Sequence, residues 1–158
     1  MKILDLVDDV RSGCKSVLTT MTLEEYKKLS FFAFNNNGNI DGQRSVIKRS
    51  STAAKIRKRM ADDFRKGAIF PQVVLGVLFS TENMQNLDES KFYMLLESVN
   101  EGQISIIDGM QRSNIYFENY EDNKQQKIRV EFWCSDASTK LLYRMLVLNT
   151  GQVPWNTR

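Results

Sequence analysis

One junction sets the arrangement of this chain: Ile104-Ser105-Ile106-Ile107-Asp108-Gly109-Met110-Gln111-Arg112. Its pattern predicts a short apolar strand, an Asp-Gly turn and the first turn of a helix. In such a geometry, free backbone N–H groups and the positive end of the helix dipole face an anion. The guanidinium of Arg112 would add a fork of donors suited to phosphate. The junction therefore predicts a phosphate-binding turn at 108–112, although Asp-Gly is also a common plain connector.

The composition is that of a globular protein, with 42% hydrophobic and 26% charged residues among 158. Because no apolar run reaches bilayer length and no signal-peptide pattern is present, we expect a cytoplasmic protein without a membrane partner. The chain has no histidine, which excludes Ser-His-Asp and Cys-His catalysis and imidazole metal ligands. Two distant cysteines, Cys14 and Cys134, predict neither a disulfide framework nor a zinc site, and no haem is expected.

Positive charge is concentrated in residues 44–66, which hold nine basic side chains and two acidic ones. The whole chain has a formal charge of +3, so the remaining residues are acidic on balance. A basic segment on an acidic domain favours a polyanionic partner, and DNA is the expected one. The same pattern also fits the solvated face of an amphipathic helix. The residues that we expect to contact nucleic acid are Lys55, Arg57, Lys58 and Arg59.

The first half of the chain predicts three helices and one strand. Apolar residues at helical spacing predict a helix over 3–11, and β-branched residues predict a strand over 15–21. The sequence Thr22-Leu23-Glu24-Glu25 matches a capping box and predicts a helix that continues to Phe34. Another helix is predicted from Ser51 or Thr52 to Gly67. Its buried stripe would consist of Ala53, Ile56, Met60 and Phe64.

The second half begins with the strongest strand signal of the chain. The nearly continuous apolar run 70–79 predicts a strand that is buried on both faces. Residues 91–99 fit a helix and a strand equally well. A strand over 103–107 and a helix over 110–120 flank the Asp-Gly turn, which places the turn between two regular elements.

An alternating strand over 127–134 and a final helix with Asp136 as its N-cap complete the series. The side chains that this helix would turn inward are Leu141, Leu142, Met145, Leu146 and Leu148. The order of elements indicates an α+β domain with a mixed sheet flanked by helices. The stretch 149–158 is polar and turn-rich. It predicts that the 158 residues are the N-terminal part of a longer protein, with a C-terminal region or a partner subunit in addition to them.

Four segments together resemble a known family: DGQRSVIKR (41–49), RKGAIFPQVVLGVL (65–78), IIDGMQR (106–112) and LVLNTGQVPWN (146–156). Over residues 39–158 the chain resembles the DGQHR/DGQQR branch of the ParB–sulfiredoxin-like superfamily. That branch includes DndB-type regulators of DNA phosphorothioation and nucleotide-dependent subunits of restriction systems that sense modified DNA. The resemblance implies one ParB/sulfiredoxin-like domain over 1–158, with a role in DNA modification or antiphage defence.

The resemblance also implies which residues form a nucleotide cleft. The matching positions are Asp108, Gly109, Gln111 and Arg112 for the DGxxR turn, and Gln43, Arg44 and Asn149 for the rest of the cleft. The family has glutamine directly after the glycine, where this chain has Met110. A thioether cannot orient water as an amide does, so an activity that depends on that glutamine is called into question. Sulfiredoxin chemistry is excluded, since its nucleophilic cysteine occupies the same position.

Three functions remain open at this stage. The first is a nucleoside-triphosphate-binding and potentially hydrolysing domain, in which Asp108 holds Mg²⁺, Arg112 and Arg44 bind phosphate, and Gln111 positions water. Asp108, Gln111 and Arg112 would then be the catalytic residues. The second is a non-catalytic regulator that binds nucleic acid through the basic segment, with an affinity that falls steeply with salt. The third is a DNA-nicking subunit, which no acidic cluster with metal-ligand spacing supports.

Overall fold

The computed structural model describes residues 1–43 and 51–149, the last of them by its backbone alone. The strands are β1 (Lys2–Asp9), β2 (Cys14–Thr22), β3 (Val73–Leu78), β4 (Ile104–Asp108) and β5 (Lys127–Ser135). They form one sheet in the order β1-β2-β5-β3-β4. Only the β3–β5 pair is parallel, and the other three neighbouring pairs are antiparallel. The fold of the described residues is therefore α+β with a mixed sheet, as the order of elements predicted.

Helices flank both faces of this sheet. They are α1 (Leu23–Asn35), α2 (Ser51–Arg65), α3 (Thr81–Met84), α4 (Glu89–Glu97), α5 (Met110–Glu118) and α6 (Ser138–Tyr143), which a π-helical turn (Arg144–Asn149) prolongs. The predicted capping box opens α1: Thr22 Oγ1 accepts from Glu25 N at 3.2 Å, and Glu25 Oε2 accepts from Thr22 N at 2.9 Å. None of the helices within the described ranges is long and apolar enough to cross a bilayer.

Two hydrophobic cores lie on opposite faces of the sheet. The larger core is covered by α1, α4 and α5 and includes Tyr26, Phe92 and Tyr116. The smaller core is covered by α6 and the π-helical turn and includes Leu141 and Met145. The interior strand β3, between β5 and β4, belongs to both cores, because its alternate side chains are buried on either face. The prediction of a doubly buried strand is confirmed, with the regular part limited to Val73–Leu78.

Residues 3–11 form β1 and the turn after it, so the predicted helix is wrong. The cause is a β-bulge between Ile3 and Asp5. The bulge inserts one extra residue, so Ile3 and Leu6 both face the larger core although they are three positions apart. This spacing imitates one helical turn in the sequence. Val10, an apolar residue within the predicted helix, is 91% exposed.

Helix α2 buries less than its pattern predicted. Ile56 is 55% exposed, and Phe64 is the one fully buried side chain described in this helix. The physical reason is that α2 packs through its C-terminal end, where the Phe64 ring lies 5.1 Å from the Tyr116 ring of α5. Gly67 follows the helix with a φ of +91°, in agreement with the predicted C-terminal stop.

Two further segments are compared with their predictions, the ambiguous segment 91–99 and the final helix. Residues 91–97 belong to α4, and Ser98 is its C-cap. Asp136 does not cap α6, because Ala137 holds the N-cap position and the Asp136 carboxylate accepts from Lys140 Nζ at 2.9 Å instead. Leu141 and Met145 are buried as predicted, whereas Leu146 and Leu148 are exposed. The change to π-helical bonding at Arg144 shifts the phase of the inward stripe.

Candidate functional site

The predicted strand–turn–helix junction is present in the structure. β4 ends at Asp108, Gly109 occupies the N-cap position with a φ of +114°, and α5 begins at Met110. Ser113 N donates to Gly109 O at 2.8 Å, which starts the helical hydrogen bonds. The N–H groups of the three preceding helical residues have no acceptor inside the helix, as at any helix N-terminus. The junction therefore presents backbone donors to a ligand, which is what an anion requires.

Gly109 is required by packing as well as by its backbone conformation. A Cβ at this position would lie 2.5 Å from Val73 Cγ1 of β3, far inside van der Waals contact. The positive φ adds a second reason, since L side chains rarely adopt it. The glycine thus allows the turn to press against the start of β3.

Arg112 fastens this turn to the chain segment before β3. Its Nη2 donates to Asp108 Oδ2 at 3.2 Å and to Gln72 O at 3.0 Å. Its Nε is buried and has no partner among the described residues. The Arg112 side chain is 20% exposed, whereas that of Asp108 is about half exposed (49%). The guanidinium is therefore held in place by internal contacts, and the carboxylate beside it is open to solvent.

A buried pair beneath the turn was not visible in the sequence. Tyr26 OH lies 2.6 Å from Ser113 Oγ, which itself donates to Gly109 O at 2.7 Å. Because Ser113 uses its proton on Gly109, Tyr26 is the donor in this pair. Burial raises the pKa of Tyr26 to about 12, so its hydroxyl stays protonated in neutral solution. Tyr26 of α1 thus supports the turn through Ser113 of α5. No spacing in the sequence links these two residues.

Gln43 lies beside the same junction, although 63 positions separate it from Ile106. Its Nε2 donates to Ile106 O at 2.7 Å and to Ile107 O at 3.1 Å. Asn39 acts in the same way one step earlier along β4, where its Nδ2 donates to Ile104 O at 2.9 Å. The loop 36–43 thus runs along the outer edge of β4. This contact brings the upstream segment of the resemblance next to the Asp-Gly turn.

The start of the last segment of the resemblance, at 146–149, reaches the same place as part of the π-helical turn. The π-helical turn contacts β4, and Met145 packs in the smaller core with Ile107. A Cβ at Gly42 would lie 3.6 Å from Leu146 Cδ2. Three segments that are remote in sequence therefore meet at the end of β4. We name this arrangement the β4 junction; it consists of 41–43, 106–112 and 145–149.

The other residues of the predicted cleft have different outcomes. Arg44 lies outside the described residues, and the side chain of Asn149 is likewise not described. Gln111 is half-buried on α5, directly after the turn. Met110 is buried in the larger core, so this position is a packing position here.

A cavity of about 720 Å³ lies between the 36–43 loop and α6. Its wall is largely polar, and Gln43 lines it while bonding to β4 with its amide nitrogen. Asp108 and Arg112 do not belong to the lining. The loop contributes Asn36, Asn37, Asn39, Ile40, Asp41, Gly42 and Gln43 to the lining. Gln43 therefore contacts both this cavity and the strand that leads into the Asp-Gly turn.

The predicted nucleic-acid residues lie in the first turns of α2. Lys55, Lys58 and Arg59 are exposed, and their three- and four-residue spacing places them on one side of the helix. We name them the α2 cation face. Within the described residues, none of the three lies in an ion pair. Arg57 is half-buried and has a partner, so it is not part of this face.

Comparisons with known proteins give no relative: no family model, no curated protein and no solved structure matches this chain. Among the described residues, no group of three or more His, Cys, Asp or Glu side chains is placed to hold a metal ion. The assignment of a function therefore depends on the geometry of the β4 junction and of the α2 cation face.

Proposed function

We propose that this chain is a phosphate- or nucleotide-binding domain of the ParB/sulfiredoxin-like type, which serves in DNA modification or antiphage defence. The observation that carries the proposal is the contact of Gln43 with the carbonyl groups of Ile106 and Ile107. It joins the two motif segments of the resemblance at the N-terminus of α5. A site built from distant segments around helix N–H donors is suited to a phosphate-bearing ligand.

The charges at the β4 junction define how a triphosphate would bind. The half-exposed Asp108 carboxylate would repel a phosphate unless a cation lay between them. Mg²⁺ is often held by one or two protein carboxylates together with substrate phosphates and water. Asp108 fits that role, and the positive charge of the Arg112 guanidinium lies beside it, with Nη2 3.2 Å from Asp108 Oδ2. Gln111 is the side chain available to position a water, because Met110 is in the core.

Nucleotide binding should be visible as thermal stabilisation. We expect one of ATP, GTP, CTP or UTP with Mg²⁺ to stabilise the protein by about 2.7 kcal/mol at a hundredfold excess over its Kd. This corresponds to several degrees in Tm for a domain of this size. The shift should vanish in Arg112→Ala and in Asp108→Asn, and persist in Lys66→Ala, which removes an exposed cation outside the junction.

Two results would contradict the proposal. One is the absence of a shift with all four nucleotides in the wild type. The other is an equal shift in the wild type, Arg112→Ala and Asp108→Asn. Because Arg112 also bonds to Gln72, circular dichroism of each variant must first show the native helix content. Asp108→Asn preserves the size of the side chain and thus tests the charge alone.

The α2 cation face favours a second function, non-catalytic binding of nucleic acid. Its three cations are exposed, and none of them lies in an ion pair with another described residue. Cations of this kind are available to neutralise phosphates. Such contacts to the nucleic-acid backbone position a protein on a duplex without reading its sequence.

Neutralising this face should change the salt dependence of DNA binding. Each phosphate contact contributes a slope of about −0.9 in a plot of log K against log salt. We expect the triple variant Lys55→Ala, Lys58→Ala, Arg59→Ala to reduce the slope by about 2 to 3. Fluorescence anisotropy with a labelled duplex at several salt concentrations measures it. The control is Lys127→Ala with Arg129→Ala, two exposed cations of β5; a triple variant with the control's slope would refute the assignment.

A further inference from the structure

A second cavity, of about 710 Å³, lies on the other side of α6 from the first. The turn between β1 and β2 forms one wall, and residues 133–148 form the other. Thr139 lines both cavities, so α6 separates them. We name the second cavity the hairpin cleft; its lining consists of Asp9, Arg11, Ser12, Trp133, Thr139, Lys140, Tyr143, Arg144 and Leu148. Its volume is in the range of pockets that hold small organic ligands.

Two arginines lie on aromatic rings in this cleft. The Arg144 guanidinium is 3.7 Å from the centroid of the Trp133 ring, and that of Arg11 is 4.9 Å from the centroid of the Tyr143 ring. A guanidinium that stacks on a ring is held by the π-system and keeps its N–H donors available in its own plane. The outer face of the guanidinium can also stack with a planar group of a ligand.

The charge of the lining is positive. Arg11 is exposed and has no carboxylate within ion-pair distance among the described residues. Arg144 lies 3.5 Å from Glu131, and Lys140 lies 2.9 Å from Asp136. Against these three cations the lining has one carboxylate, that of Asp9, which accepts from Ser12 Oγ at 2.7 Å. Glu131 and Asp136 offset two of these cations from outside the lining, so among the described residues Arg11 is the cation of the hairpin cleft that remains to attract an anion.

We propose that the hairpin cleft binds a phosphorylated ligand with a planar ring, of the size of a mononucleotide. The ring would stack on the Arg144 guanidinium, above Trp133, and the phosphate would lie between Arg11 and Lys140. The cleft shares Leu148 with the β4 junction but none of the residues 106–112 that would hold the phosphate there. Different side chains would therefore bind the two ligands, and either proposal can hold without the other.

Trp133 provides a local reporter, because the chain has only two tryptophans. In a Trp155→Phe background, titration with 5′-AMP should change the Trp133 emission in a saturable manner. Adenosine and inorganic phosphate, tested singly, should each bind at least tenfold more weakly. Arg11→Ala removes an exposed cation at a hairpin turn and should weaken 5′-AMP binding at least tenfold. Arg144→Lys keeps the charge but loses the planar contact with Trp133, and should weaken binding as well.

Control variants separate this cleft from the β4 junction. Arg112→Ala and Lys66→Ala should leave the Trp133 titration unchanged. The proposal is overturned if millimolar 5′-AMP gives no saturable change, or if Arg11→Ala binds with the affinity of its parent. It is also overturned if Arg112→Ala abolishes the signal, because the emission would then report the β4 junction. Unfolding curves of each variant establish that it is folded before titration.

Discussion

Gly109→Ala should destabilise the protein by about 2–6 kcal/mol, which is a large part of the total stability of a typical domain. Two costs add at this position. A non-glycine residue with a φ of +114° stores of order 1–3 kcal/mol of backbone strain. The new Cβ would also lie 2.5 Å from Val73 Cγ1 and 2.9 Å from Val73 Cβ, which costs about another 1–3 kcal/mol by overpacking. Urea unfolding of both proteins measures the sum.

Gly67→Ala is the matched control for this substitution. Gly67 also has a positive φ, of +91°, but a Cβ there would have no atom within 4 Å. Gly67→Ala therefore introduces the backbone strain without the clash. Its loss in free energy of unfolding should be smaller than that of Gly109→Ala. In Val73→Ala with Gly109→Ala, part of the clash is relieved, so the double variant should lose less than the sum of the single ones. Equal losses for Gly109→Ala and Gly67→Ala would show that Val73 does not restrain the turn.

Phe92→Ala should cost about 3–5 kcal/mol, since a large buried ring is replaced by a cavity. Phe92 is fully buried on α4, and its ring centroid lies 5.1 Å from that of Phe132 on β5. A second ring, Phe79, lies 6.4 Å away. The substitution would remove the ring contacts of α4 with Phe132 and Phe79. The midpoint and slope of denaturant unfolding give the change in free energy.

Met94→Ala, on the same helix, tests the specificity of this loss. Met94 is 61% exposed, so its truncation should change stability by no more than about 0.5 kcal/mol. The two variants also test the secondary structure of the segment 91–99, whose sequence fits a helix and a strand equally well. In a strand, residues 92 and 94 would share one face and have similar effects, whereas in a helix they diverge by about 200°. Similar losses in the two variants would contradict the helical assignment.

Sequence reasoning succeeded where a signal is local. The apolar run that contains Val73–Leu78, the alternating strand at Lys127–Ser135 and the capping box at Thr22 each reflect interactions within a few residues. The Asp-Gly turn at 108–109 belongs to the same class, because backbone conformation alone restricts its residues. These elements were sufficient to predict the α+β class and the strand, turn and helix over 104–118.

The failures have physical causes that a single sequence does not display. The bulge after Ile3 shifted the alternation of β1 and made a strand resemble a helix. The exposure of Ile56 depends on which part of α2 packs against the core, and tertiary structure decides this. The contacts of Gln43 with Ile106 and of Tyr26 with Ser113 join residues more than 60 positions apart. Proximity of this kind follows from topology, which periodicity does not determine.

The amide bonds of Asn39 and Gln43 also affect how this protein meets its own copies. An unpaired strand edge is a template for aggregation, because its N–H and C=O groups accept a foreign strand. At β4 the carbonyl groups of Ile104 and Ile106 are already used by these two side chains. A second molecule would have to displace both amides before it could pair there. Edge-to-edge growth is thereby directed to β1, where Asp5, Asp8 and Asp9 oppose it by charge.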